Sequence, residues 1–168
     1  MDILKRELIE FKDRKFPEKI CFKPIGIIHT SFKNLKGIPI QFSLSNAKGT
    51  IEIFNEYTAG LKDLSGFSHL YCLYYFDMVK QPVPLQSKPF LVDEEKGVFA
   101  IRTPFRPNPI GLSILEIIDQ RENIIFVKNV DILDRTPILD LKPYVPKFDN
   151  VKTKKIGWLQ GNIKRKTS

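Results

Sequence analysis

From residue 68 to residue 144 one strand-like run follows another, with no helical pattern between them. SHLYCLYYF (68–76) is apolar and rich in β-formers. GVFAIRT (97–103), GLSILEIID (111–119), NIIFVKNVDIL (123–133) and ILDLKPY (138–144) repeat that texture. Parallel neighbours need long crossovers, usually helical, so this order predicts antiparallel or mixed pairing and argues against a doubly wound α/β sheet. The separators carry turn chemistry: QPVPLQSKP (81–89) holds three prolines, and a turn is expected at 120–123. Upstream, FKPIGIIHT (22–30) and GTIEIFNEY (49–57) add two more strands. The expected fold is mainly β, a small single-sheeted antiparallel or mixed β-barrel with an N-terminal helix and a few short helices. The helix is expected over residues 2–16, where Ile3, Leu4, Leu8, Ile9 and Phe11 alternate with charges before Phe16-Pro17. TAGLKDL (58–64) suits a short helix, and residues 31–49 read as a long loop, a length that compact domains reserve mostly for function.

Charge divides the chain further. Residues 147–168 hold seven Lys and Arg against Asp149 alone, which is six of the net +8. Such a segment attracts polyanions, because neutralised phosphates release counterions; it equally suits a solvated solubility tail. The organisation expected is a helical extension (1–19), a barrel domain (20–146) and a basic tail (147–168). The charged N-terminus is unlike a secretory signal, and the longest apolar runs, such as Leu70–Phe76, are too short to span a bilayer. Cys21 and Cys72 lack CxxC spacing and read as reduced thiols, so a cytoplasmic protein with no membrane partner is expected. His29 and His69 are the only histidines, and with the two cysteines they show no closed four-ligand zinc spacing, so no metal site is expected. GFSHL (66–70) lacks the second glycine of a hydrolase elbow. No GxGxxG or GxxxxGK[ST] occurs, which leaves dinucleotide and P-loop readings without support.

The polar residues that remain cluster at strand ends. In FRPNPIGLS (105–113), Arg106 and Asn108 each precede a proline, which stiffens both into extended geometry. Gly111 then allows a close backbone approach. Arg102 lies four residues before Arg106, and paired guanidiniums suit a carboxylate or phosphate. His69 opens the 68–76 strand. VDILDRTPILDLKPY supplies Asp131, Asp134 and Asp140 around Thr136-Pro137, where an aspartate either caps its own turn or serves a site.

GVFAIRTPFRPNPIGLS and LDRTPILDLKPY together resemble the TsaA-like (TrmO, VirR-like) family, and PIGIIHTSF and GFSHLYCLYYF fit it too. The resemblance covers roughly residues 22–146. It implies an S-adenosylmethionine-dependent methyltransferase acting on N6 of threonylcarbamoyladenosine at tRNA position 37. It also implies a homodimeric β-barrel, with the cofactor near the subunit interface and the tRNA anticodon arm as partner. Matched block by block, the cofactor residues implied are Pro39, Ile40, Gln41, His69, Leu70, Arg102, Leu112, Leu133, Asp134, Arg135, Thr136 and Pro137. Arg106, Asn108, Asp140, Lys142 and Tyr144 are implied at the substrate or its loops. Two positions depart from the pattern: Ile40 stands where Arg is usual, and Arg135 where Gly is usual. Asp134 and His69 are the candidates for a catalytic base, and the sequence does not choose between them. Two other readings stay open: an RNA-binding barrel without chemistry, and a methyltransferase for another small adenosine-type substrate.

Overall fold

The computed structural model describes residues 15–163. Six strands close a barrel: β1 (Gly26–Thr30), β2 (Lys48–Ile53), β3 (His69–Tyr75), β6 (Ile110–Arg121), β7 (Ile124–Lys128) and β8 (Pro137–Pro143). Their order around the barrel is β1-β2-β7-β6-β3-β8, and every pairing is antiparallel. A separate two-stranded ribbon joins β4 (Gln86–Ser87) to β5 (Lys96–Gly97). One helical turn, α1 (Pro146–Asp149), follows β8.

Alternation builds the core. Ile28 on β1, Ile51 and Ile53 on β2, Leu70 and Cys72 on β3, Leu115 on β6, Ile125 and Val127 on β7 and Ile138 on β8 all turn inward and are fully or nearly fully buried. Each successive residue points the other way, as a pleated strand requires. β6 serves two neighbours: Ile110–Glu116 pair with β3 and Glu116–Arg121 with β7. The register slips between Ile117 and Asp119. Such a bulge sharpens local twist and lets one long strand bend around the barrel. A two-residue turn through Glu122, whose φ is 52°, leads into β7.

Several expectations shift. The turn expected at 120–123 narrows to 122–123. The short helix expected over 58–64 is instead 3₁₀, over Asn55–Leu61 and Leu64–Gly66. The 31–49 loop contains one 3₁₀ turn, Phe42–Leu44, and ends as β2 starts at Lys48. GVFAIRT is not a strand: Val98–Ala100 form a 3₁₀ turn, and the carbonyls of Val98 and Ile101 accept from Arg106 Nη1 at 2.7 and 2.9 Å. The strand expected over 123–133 stops at Lys128, because Asn129 adopts φ 65°. Val130 and Ile132 remain buried beyond it. The expected helix over 2–16 lies, but for its last two residues, outside the described residues. Cys21 is exposed and Cys72 buried, and both are free.

The segment after β8 folds back. Trp158, in a 3₁₀ turn over Gly157–Leu159, donates its indole N–H to the Ala100 carbonyl at 2.8 Å. That bond ties residues 157–159 to the irregular loop between β5 and β6.

Candidate active site

A cavity of about 870 Å³ opens beside β3 and β6. Its walls come from four loops distant in sequence, around residues 35–42, 76–79, 99–106 and 131–136. Most of its lining is apolar, with a few polar groups converging, the usual make-up of a small-molecule site. Pro39, Ile40, Gln41, Arg102, Arg106, Leu112, Leu133 and Thr136 all line it.

The two arginines differ in what they have left to offer. Arg106 donates to the Val98 and Ile101 carbonyls and lies 5.7 Å from the Phe99 ring centroid. Gln81 Nε2 in turn donates to the Arg106 carbonyl at 2.9 Å. The first reading of FRPNPIGLS, a guanidinium presented to a ligand, is thus corrected for Arg106: part of its guanidinium holds the loop together. Arg102 is exposed and makes no hydrogen bond or ion pair among the described residues, so its guanidinium remains available to an anion. Gly111 is explained by the protein itself. A Cβ there would stand 2.2 Å from Tyr74 Cε2, so the close approach is made by the Tyr74 ring.

The other implied residues lie elsewhere. Leu70 is a fully buried core residue. His69 Nδ1 lies 3.0 Å from Ser68 Oγ, and its ring meets Tyr144 edge-on at 6.3 Å. Tyr144 also packs against Tyr71, at 5.4 Å. Asp140 and Lys142 form an ion pair at 2.7 Å on β8. Asn108 is exposed on the loop before β6, and Pro137 is half-buried at the start of β8. Arg135 is exposed, with φ 67°. That backbone is left-handed, where glycine is favoured and other side chains cost stability. Its N–H donates to the Ile28 carbonyl at 2.8 Å, which fixes the turn against β1.

Asp134 faces away from this cavity. Its Oδ1 accepts from the Thr30 N–H at 2.9 Å and its Oδ2 pairs with Lys33 Nζ at 2.6 Å. The Lys33 ammonium, then the Thr30 N–H, hold its carboxyl below the usual carboxylate range. A carboxylate so stabilised is a weak proton acceptor. It lines a second, more open cavity of about 530 Å³ with His29, Lys33, Asp119, Arg121 and Phe126. Charges there are largely matched already: Lys33 with Asp134, Arg121 with Asp119 at 2.8 Å, His29 with Glu52 at 2.9 Å. The larger cavity, with an uncommitted guanidinium, is the better ligand site.

Its floor holds a group that the motif reading left aside. Ser113, fully buried on β6, donates from Oγ to Asp131 Oδ1 at 2.6 Å, and the Tyr74 hydroxyl reaches Ser113 Oγ at 3.2 Å. Burial pushes the Asp131 carboxyl up, with the Ser113 hydroxyl pulling the other way. Burial, then the Asp131 charge, raises Tyr74 and Cys72 as well. The available signal was an aspartate inside an alternating apolar run, Val130-Asp131-Ile132. A carboxylate between buried side chains needs partners, and Ser113 supplies one.

Residues 27–150 match the family model described as the tRNA-methyltransferase O N-terminal domain. The chain belongs to that family. A probable S-adenosyl-L-methionine-binding protein of Pyrococcus abyssi is 47% identical over 148 residues, covering 88% of this chain and 80% of that protein. The tRNA (adenine(37)-N6)-methyltransferase of Escherichia coli is 33% identical over 135 residues, 74% of this chain and 57% of that enzyme. Among solved structures, the crystal structure of TrmO from Pseudomonas aeruginosa superposes with a TM-score of 0.69 at 31% identity, covering 83% of this chain and 62% of that one. The chain therefore spans less than two thirds of the length of these two family members. Family membership agrees with the closed barrel and with the blocks that carried the resemblance. The left-handed backbone at Arg135 gives the departure there a physical meaning. The glycine that the resemblance implies there would suit a left-handed turn, and this chain keeps the turn with a side chain in place.

Proposed function

We propose that this protein is an S-adenosylmethionine-dependent tRNA methyltransferase acting on N6 of threonylcarbamoyladenosine at position 37. The observation that supports it most is one cavity drawing together Pro39–Gln41, Arg102, Leu112, Leu133 and Thr136 from separate parts of the chain. The cavity suits such a cofactor chemically. Arg102 offers a guanidinium to a carboxylate, and Leu112 and Leu133 offer apolar surface to a purine.

When bound, S-adenosylmethionine supplies an electrophilic methyl group on a sulfonium. The protein's contribution is then orientation. Arg102 would hold a carboxylate of the ligand and the apolar wall of Leu112 and Leu133 would restrain its flat part, so that binding supplies the orientation that methyl transfer needs. An RNA target in a single-stranded loop allows the base to be splayed into the cavity. Lys147, Lys152, Lys154 and Lys155 follow β8 and extend the binding surface towards the anticodon arm. In this reading residues 20–146 form the catalytic barrel and the basic tail, 147–168, supplies charge for binding RNA. The protein works in the cytoplasm as a homodimer. An apolar rim at the cavity favours that assembly: Tyr75, Ile110 and Leu112 on β3 and β6 are 38%, 38% and 59% exposed, and the last two line the cavity.

The test is incubation with S-adenosylmethionine and tRNA bearing unmethylated threonylcarbamoyladenosine, followed by nucleoside mass spectrometry. One added methyl on that nucleoside is expected. Cofactor binding without methyl gain points to another substrate, and absence of both points to an RNA-binding barrel without chemistry. Arg102→Ala is expected to weaken cofactor binding about tenfold or more in titration calorimetry, the loss of one charge-assisted contact.

A further inference from the structure

We propose that Asp131 is the proton acceptor for methyl transfer, a catalytic carboxylate set in the cavity floor by Ser113 and Tyr74. The inference rests on the methyltransferase reading above and goes beyond it by naming the residue. Two carboxylates line the cavity, Asp77 and Asp131. Asp77 is exposed, whereas Asp131 is half-buried and oriented by the 2.6 Å bond from Ser113 Oγ. Ser113 is itself completely buried and receives the Tyr74 hydroxyl, so the chain Tyr74–Ser113–Asp131 runs from the core to the cavity. Gly111 makes the arrangement possible, since only its missing side chain lets the Tyr74 ring lie across β6.

The acceptor nitrogen carries one hydrogen and a lone pair delocalised into the purine and the carbamoyl group. Methylation forms a bond from that nitrogen to the methyl carbon and breaks the carbon–sulfur bond, whose electron pair returns to sulfur as a neutral thioether. The nitrogen's proton passes to the Asp131 carboxylate, and water takes it up after release. A base for this step works best when its affinity for protons approaches ambient pH. Burial moves Asp131 in that direction. The groups around it are Cys72 and Tyr74 from β3, both held protonated, Ser113 from β6, the Phe42 N–H from the early loop, and Arg102, Arg106 and Asp77 across the cavity.

The experiment measures single-turnover methyl transfer to tRNA against pH for the full chain and for Asp131→Asn, Asp131→Glu and Ser113→Ala, with S-adenosylmethionine affinity measured separately. Asp131→Asn is expected to slow transfer about 10²–10⁴-fold while cofactor affinity holds within about threefold. Asp131→Glu should recover at least about tenfold of that loss. Ser113→Ala removes the bond that restrains the carboxyl, so the acid limb of its rate profile should move to higher pH. Transfer by Asp131→Asn at the parent rate overturns the assignment, as does an acid limb that Ser113→Ala leaves in place. Loss of cofactor affinity in parallel with rate also overturns it, because Asp131 would then serve binding. A parent protein that transfers no methyl defeats the methyltransferase reading itself, an outcome distinct from an active parent with an equally active Asp131→Asn.

Discussion

A Cβ on Gly111 has no space to occupy, because Tyr74 ring atoms would lie 2.2–2.7 Å away. Gly111→Ala should therefore destabilise the fold by about 1–3 kcal/mol, the usual cost of overpacking, and urea denaturation will measure it. At Arg135 the expectation is reversed. Its φ of 67° carries a left-handed penalty that glycine escapes. Arg135→Gly should raise stability by up to about 1 kcal/mol, a thermal midpoint roughly 2–4 °C higher for a domain of this size. A lower midpoint would show that the Arg135 side chain has gained contacts worth more than the backbone strain. Both residues stand out in the sequence, one as a glycine after a rigid loop and one as a departure from a family glycine. Their physical tasks were not legible there. The ring that fills the space beside Gly111 comes from another strand, and a φ angle leaves no mark on the letter R. Arg106 teaches the same lesson: a charge between prolines reads as a ligand clamp until its partners prove to be carbonyls of its own loop.

Among the elements, the turn over residues 131–136 carries the most consequence. It is bound to the end of β1 at several points: Asp134 N–H to Phe32, Arg135 N–H to Ile28, and Thr30 N–H to Asp134 Oδ1. Lys33 is 67% exposed, so its ion pair adds little, and the Thr30 bond matters more. Asp134→Ala should cost about 1–2 kcal/mol, since it leaves the Thr30 N–H without its acceptor. The sign with pH follows from the lowered Asp134 carboxyl. Its contribution is present above the unfolded carboxylate value of about 4 and fades as pH falls through the folded one. Denaturation midpoints from pH 7 to 2.5 should drop for the parent, and the drop should shrink in Asp134→Asn. Most strands were readable as short runs of β-formers between turn residues, as with 68–76, where the structure turns Leu70, Cys72 and Tyr74 inward. Residues 97–103 misled as a short apolar run, with Val98 and Ile101 buried three apart around a 3₁₀ turn, and 129–133 misled through alternation. Val130 and Ile132 alternate as a strand would, yet they cross the barrel end without a ladder. A period of two reports which side is buried, and the hydrogen-bond partners decide whether the segment is a strand.

Across the whole molecule, the basic segment and the cavity are physically joined. Trp158 bonds the Ala100 carbonyl, and the adjoining loop carries Phe99, Ile101 and Arg102 into the cavity wall. The chain has one tryptophan, so its emission reports on this junction alone. Adding S-adenosylmethionine should shift that emission with the same midpoint as calorimetric binding; an unresponsive signal would mean the wall does not adjust to its ligand. No composition or spacing argument reaches such a bond, because it links segments that share no motif. Closure of the six strands has a further consequence. A ring of antiparallel strands leaves few spare N–H and C=O groups, and its ladder is shortest at the seam where β1 meets β8, at Gly26–Ile138 and Ile27–Pro137, so the barrel gives little template on which another chain can grow a sheet. Whatever docks on it, a second copy or an RNA loop, is read mainly by side chains. Exposed side chains such as Leu112 and Tyr75, more than the backbone, are what the barrel presents to the outside.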